Sequence, residues 1–499
     1  MSRTYTLQPD AAGLPEVEID FSQALNPQQF EAVTSPPGQA LVIAGAGSGK
    51  TRTLTYRVAY LIANAISPEN ILLLTFTNKA AREMLERVND LVPGQAASVW
   101  GGTFHSIGNR LLRRHADVLG FTRSFSILDS DDQKSLLTKI INSSGFAVDG
   151  EAPRGKKGRR KSDSGFPKAP VLGGIISLAT NTCRAVDEII RDRYAYFEES
   201  SAHIQQVAAS YARKKKESNS MDFDDLLALT VKLLRQHEAV RRYYQRQFQF
   251  ILVDEYQDTN ALQSEFIDVL AGEDGNIMVV GDDAQSIYSW RGANFENILK
   301  FPQRHPSAQV YRIETNYRSV PEVLELANES ILANKRQFRK VLRADRTSRG
   351  ARPALVALAD PQVQAAFVSQ RLRELHERDG IPWRDMAVLY RAHFQSMDVQ
   401  MQLTQDRIPF LITSGLRFFE QAHVKDVVSF LKWAANPRDE VSFDRMVRLL
   451  PGIGAGAAGK LWLEWVESGG GGIGGGGIGG SPMGSTGGPP MGESMDTEK

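Results

Sequence analysis

Short apolar runs, each followed by a turn and then by helical spacing, set the rhythm of the first hundred residues. Ala40-Leu41-Val42-Ile43-Ala44 leads through a Gly-rich turn into a helical pattern from Thr51 to Asn64. Ile71 to Leu74 feeds a second helical pattern from Lys79 to Val88. Uninterrupted apolar runs of this length fit strands buried on both faces, and their alternation with helices predicts a parallel α/β sheet. From about 106 to 213 the spacing becomes mostly helical. Phe250 to Val253 and Ile277 to Val280 then restore the strand pattern, so the helical stretch reads as an insertion in the first sheet. A second α/β pattern begins near Val310, with strands expected at Val310 to Glu314, Ala354 to Leu358 and Met386 to Tyr390. Helical spacing returns from 422 to 466.

Five segments follow from this pattern: a first core domain (1–105 and 214–303), an inserted helical subdomain (106–213), the front of a second core domain (304–421), the start of a second helical insertion (422–466) and a tail (467–499). The basic run Arg154 to Lys161, spaced by glycine, is expected as a loop that is either solvated or in contact with duplex phosphates. Residues 469–492 are mostly glycine with Ser, Pro and Met, which cannot offset their ordering entropy, so disorder is expected there.

Composition narrows the picture only slightly. A net charge of +1 gives no global signature of a nucleic-acid partner, so any such affinity must come from local groups. The single cysteine, Cys183, excludes an internal disulfide framework and suits a reducing compartment. The polar N-terminus has no signal-peptide core and the apolar runs are too short to span a bilayer, so a cytoplasmic location without membrane contact is expected.

Candidate chemistry sits in the first Gly-rich turn. Ala44-Gly45-Ala46-Gly47-Ser48-Gly49-Lys50-Thr51 lies between a strand and a helix, where exposed backbone N–H groups and a helix N-terminus favour phosphate. Ala46, Gly47, Ser48 and Gly49 would cradle the phosphates of ATP, Lys50 would reach the β- and γ-phosphates, and the Thr51 hydroxyl would bind Mg²⁺. Ala44 departs from the strict pattern, which has glycine first. A phosphate loop needs an acidic partner on a neighbouring strand, and Phe250-Ile251-Leu252-Val253-Asp254-Glu255 supplies one. Asp254 would hold Mg²⁺, and Glu255 would orient or deprotonate the attacking water.

Several blocks in order resemble the UvrD/Rep/PcrA family of superfamily 1 helicases. These are Leu25-Asn26-Pro27-Gln28-Gln29, the Ala-first phosphate loop, Thr75-Phe76-Thr77-Asn78-Lys79-Ala80-Ala81, Gly102-Thr103-Phe104-His105-Ser106, Val253 to Asn260, Gly281 to Ala293 and Thr315-Asn316-Tyr317-Arg318-Ser319. The resemblance implies a P-loop NTPase (RecA-like) α/β fold, with an inserted helical subdomain and a second RecA-like domain. Its implied activity is ATP-dependent 3′-to-5′ movement on single-stranded DNA and at single-strand/duplex junctions. It also implies roles: Gln29 reads the adenine edge, Tyr317 stacks on adenine, Arg52 adds a phosphate contact, Gln285 senses the γ-phosphate and Arg318 acts as an arginine finger. For DNA it implies Phe76, Asn78, Lys79, His105, Tyr288, Trp290 and Arg291. The physical reading agrees for the aromatics, which follow apolar strands without an obvious core to fill, and bases can stack on such rings. His105 is equally readable as a structural hydrogen-bonder. Asp222-Phe223-Asp224-Asp225 is expected to cap a helix.

The resemblance continues through Asn436-Pro437-Arg438 and Pro451-Gly452-Ile453-Gly454, and the sequence then enters the Gly-rich stretch. Nothing after it resembles the family's motifs V and VI, the second of which carries another arginine finger. The expectation is therefore an incomplete second domain and impaired unwinding. The alternative is a nucleotide-dependent single-strand-binding protein with little turnover. A helicase–nuclease would need a carboxylate-rich module, and none is visible in the sequence.

Overall fold

The structure is a computed structural model that describes residues 19–144, 166–273, 275–289, 292–348, 350–413, 422–451 and 453–468. The expected basic loop at 154–161, the Gly-rich stretch at 469–492, and Trp290 and Arg291 lie outside the described residues.

A six-stranded parallel sheet forms the centre. Its strands are β1 (Gln39–Ala44), β2 (Ile71–Thr75), β3 (Trp100–Thr103), β6 (Phe250–Val253), β7 (Asn276–Gly281) and β8 (Gln309–Ile313), in the spatial order β3-β2-β6-β7-β1-β8. The short pair β4 (Ser126–Leu128) and β5 (Ser220–Asp222) lies outside it. Period-two alternation sorts the apolar runs onto two layers. Leu41, Ile43, Leu72, Leu74, Ile251, Val253, Ile277 and Val279 face one core with Phe104 and Phe266. Ala40, Val42, Ile71, Leu73, Leu252, Met278 and Val280 face the other with Leu54, Val58, Met84 and Val88. Because all pairings are parallel, the C-terminal ends of β1, β2, β3, β6 and β7 share one edge. The loops leaving that edge carry the phosphate loop and four of the other sequence blocks, and open α/β sheets bind ligands there.

Two expectations about the second α/β unit are corrected. The run at Val310 to Glu314 does not open a second sheet. As β8 it pairs with β1 in the register Ala40↔Gln309 to Ala44↔Ile313, so the first sheet extends beyond residue 303. A period-two pattern states that a strand exists but not which neighbour it joins. Ala354 to Leu358 and Met386 to Tyr390 take part in no strand pairing among the described residues. Leu355 is 100% exposed and Leu389 94%, so these apolar runs lack the covering layer that would make them sheet. The ladder observed in this unit is the two-residue pair β9 (Thr315–Asn316) with β10 (Arg343–Ala344), which packs on the helix Pro321–Ile331, while the helices Pro361–Glu377 and His393–Gln405 pack on each other.

The inserted helices Ser130–Ser144, Ala169–Thr182, Val186–Arg193 and Ser201–Glu217 enclose their own core around Leu137, Leu172, Ile175, Ile190, Ile204 and Tyr211. The helix Phe104–His115, by contrast, buries Phe104, Ile107 and Leu111 in the first sheet's core. The expected late helices form as Ala422–Ala435, Glu440–Val447 and Ala455–Glu467. They meet the inserted helices through Lys139–Glu440 (3.2 Å) and Lys432–Asp132 (3.1 Å). No described helix is long and apolar enough to cross a membrane.

Candidate nucleotide and nucleic-acid site

The phosphate loop turns sharply between β1 and the helix Lys50–Ala63. Gly47 (φ +68°) and Gly49 (φ +86°) occupy the left-handed region, where a side chain is strained. Ser48 braces the turn by donating its hydroxyl to the Gly45 carbonyl at 2.7 Å. Lys50 and Thr51 open the helix, so the positive end of its dipole faces the loop. The Lys50 ammonium is buried, pairs with Glu255 Oε2 at 2.7 Å and donates to Gln285 Oε1 at 3.3 Å.

Asp254, at the end of β6, is buried. Burial above all, and then the neighbouring Glu255 charge, push its carboxyl up to about 7 against the pull of Lys50. A hydroxyl such as that of Thr51 and a carboxylate such as that of Asp254 are donor types that suit Mg²⁺, which keeps waters and takes phosphate oxygens for its remaining positions. Glu255 adopts a left-handed φ of +50° and accepts from Gln257 Nε2 at 2.8 Å. Gln257 in turn accepts from the Asp282 backbone N–H at 2.9 Å, and Gln285 donates to Asp282 Oδ2 at 2.5 Å. Sequence reading missed Lys340, a buried ammonium 2.7 Å from Asp282 and 3.0 Å from Asp283, far from both along the chain.

The remaining nucleotide candidates divide. Gln29 is buried beside the loop, with its amide shared between the Asn26 backbone N–H (3.3 Å) and the Ser48 carbonyl (2.9 Å). Tyr317 is partly exposed, accepts from Asn26 Nδ2 at 2.7 Å and donates its backbone N–H to Gly47 O at 2.9 Å. Arg318 follows it, exposed, its backbone close enough that a Cβ on Gly47 would lie 2.6 Å from Arg318 Cβ. Arg52, directly after Thr51, is held by neighbouring protein groups. Its guanidinium donates to the Ala24 carbonyl (2.8 Å) and Tyr56 hydroxyl (3.2 Å) and lies over the Tyr56 ring at 4.6 Å. Two helical residues rotate a side chain by roughly 200°, so Arg52 and Lys50 leave the helix on opposite sides.

At the same sheet edge, a groove of about 910 Å³ lies between it and the inserted helices. Phe76, Asn78, Lys79 and His105 line it, together with Tyr194, Phe223 and Asp224. Phe76 stacks on Tyr288 with ring centres 5.4 Å apart. Thr77 caps the helix Asn78–Leu91, and the Lys79 side chain is 88% exposed at its first turn. His105 meets the edge of Phe223 at 5.9 Å, and burial holds its imidazole below the usual value, which favours the neutral form. Asp222 does cap the helix Phe223–Gln236, in a reciprocal box with Asp225. Phe223 itself is 57% exposed in the groove. Its spacing from Leu226 and Leu227 assigns it to the buried face, so only the tertiary arrangement reveals it.

A phosphate loop, an acidic strand partner and a parallel sheet with both at one edge define a P-loop nucleotide-binding fold of the RecA-like kind. Residues 25–306 match the UvrD/REP helicase N-terminal domain and residues 311–467 the UvrD-like helicase C-terminal domain, and the chain belongs to this UvrD-like helicase family. It is 39% identical over 434 residues to the ATP-dependent DNA helicase PcrA of Bacillus subtilis (strain 168), covering 87% of this chain and 56% of that protein. It is 38% identical over 429 residues to the protein of the same name from Staphylococcus aureus (strain Mu50 / ATCC 700699), covering 85% and 56%. The chain thus spans little more than half the length of these relatives.

Proposed function

We propose that the chain binds ATP with Mg²⁺ at the phosphate loop and single-stranded DNA in the adjacent groove, as part of a motor moving 3′ to 5′. The observation that carries this reading is the shared sheet edge, which has Lys50, Asp254 and Glu255 on the same edge as a groove lined by Phe76 and Phe223, with Tyr288 stacked on Phe76. Lys50 and the loop amides hold phosphates. Mg²⁺ at Thr51 and Asp254 would neutralise charge on the transferring group, and Glu255 would orient water. Gln285, between Lys50 and Asp282, reports the γ-phosphate, while Tyr317 and Arg318 face the loop from the far side. Bases stack on the groove aromatics and phosphates meet Lys79 and the helix N-terminus at Asn78.

A second reading, nucleotide-dependent DNA binding with little turnover, is favoured by the segments around Leu355 and Leu389, which join no strand ladder among the described residues. Steady-state ATP hydrolysis with and without oligo(dT) separates the two. A motor predicts marked DNA stimulation, and flat, negligible turnover favours the second reading. On either reading Phe223→Ala weakens oligo(dT) binding by about 1–3 kcal/mol, with little base preference. Unchanged affinity would remove Phe223 from the DNA site.

A further inference from the structure

One buried amide joins the nucleotide-binding edge to the groove. Glu255 to Asn260 form a stiff six-residue turn, in which Tyr256, Gln257, Asp258, Thr259 and Asn260 are all buried. At its front, Glu255 holds Lys50. Within it, Asp258 N donates to Glu255 O at 2.9 Å and the Thr259 hydroxyl to Tyr256 O at 2.7 Å. Asn297 fastens the turn from the side, donating to Thr259 O at 2.9 Å and Asn260 O at 3.0 Å.

At the far end, Asn260 donates its side-chain amide to Asn181 Oδ1 at 2.7 Å. Asn181 belongs to the inserted helix Ala169–Thr182 and donates in turn to Asp224 Oδ1 at 2.7 Å, in the groove wall next to Phe223. Its Cβ also lies 3.5 Å from where a Cβ on Gly292, in the block after β7, would be. A primary amide suits this place because it accepts on one side and donates on the other. Three segments distant in sequence therefore meet on one side chain in the groove wall, where the turn that begins at Glu255 ends.

We infer that Asn181 is a positioning residue that couples nucleotide binding to DNA binding, by fixing the 255–260 turn to the groove wall. The inference rests on the reading proposed above. If nucleotide draws Lys50 and Glu255 apart, the stiff turn carries the shift to Asn260, and Asn181 passes it to Asp224 and the groove. By linkage, DNA in the groove alters nucleotide affinity by the same factor.

The test measures binding and does not depend on turnover. Affinity for Mg²⁺ with adenylyl-imidodiphosphate is determined with and without saturating oligo(dT), in the unsubstituted chain and in Asn181→Ala. The unsubstituted chain should show a ratio of about fivefold or more between the two affinities. In Asn181→Ala the ratio should fall to one while nucleotide affinity without DNA stays the same, a pattern that general loosening of the fold would not give. Should the alanine variant fail to fold, Asn181→Leu fills the same space and carries the same expectation. A wild-type ratio in the variant overturns the inference, and so does a ratio of one in the unsubstituted chain, although binding of both ligands then still stands. Failure of the unsubstituted chain to bind either ligand overturns the proposed function and the inference together.

Discussion

Lys50 and Glu255 hold each other at 2.7 Å, yet their removal should have different consequences. Lys50→Ala takes away the buried cation that would meet the phosphates. A charge-assisted hydrogen bond contributes about 1.5–3 kcal/mol, so nucleotide affinity should fall about tenfold or more. Glu255→Gln keeps an acceptor for Lys50 but loses the base, so fluorescent-nucleotide binding should persist while hydrolysis slows by about a hundredfold or more. Equal loss of binding in both variants would refute the separate roles. These residues were legible in the sequence because their chemistry demands fixed types at adjacent positions: a lysine after glycines, and an acidic pair after an apolar run. The partners of Arg52, Ala24 and Tyr56, were not legible, because adjacency in sequence ignores the rotation of a helix. Lys340 was invisible because its partners, Asp282 and Asp283, are brought to it only by the fold.

The helix Phe223–Gln236 shows how an element is secured where it returns to the core. Asp222 and Asp225 cap its N-terminus, and Lys215 reaches both carboxylates, at 2.6 and 2.5 Å, from the end of the helix Ser201–Glu217. Burial pushes the Asp222 carboxyl up, but Lys215 overcomes it and leaves the group below the usual range. Lys215→Met would leave the buried Asp222 and the partly buried Asp225 without their cation, a change that costs about 3–5 kcal/mol where a buried pair is broken from one side. The urea midpoint followed by circular dichroism should drop accordingly, and a shift no larger than that of an exposed pair would show that the carboxylates find water instead. Among strands, legibility followed the same division between local and distant causes. β1, β2, β6 and β7 announce themselves as apolar runs buried on both faces. β3, Trp100-Gly101-Gly102-Thr103, has no such run and is a strand because β2 lies beside it. β8 was legible as a strand but not as the neighbour of β1.

Across the whole molecule, the two α/β units differ in how far their apolar runs are covered. The first buries β1, β2, β6 and β7 between two helical layers, with β8 half-exposed at one edge. In the second, the runs around Leu355 and Leu389 stand bare, and the observed ladder is two residues long. On the proposed reading, binding depends mainly on the first unit, which supplies Lys50, Asp254, Phe76 and Phe223. On the same reading strand displacement asks more, because two bodies would have to close on nucleotide and exchange their hold on DNA. A unit whose strands lack a ladder cannot transmit that force as one body. The 499-residue chain by itself should therefore bind oligo(dT) and adenylyl-imidodiphosphate but not separate a duplex carrying a 3′ single-stranded tail. Limited proteolysis should cut within 353–358 or 386–390 before it cuts the first sheet, since backbone outside a ladder opens at little cost. The measurement is a strand-displacement assay beside filter binding on one preparation. ATP-dependent displacement by the chain alone would overturn the prediction and would mean that the bare runs become covered when nucleotide and DNA bind, or by a second copy of the chain.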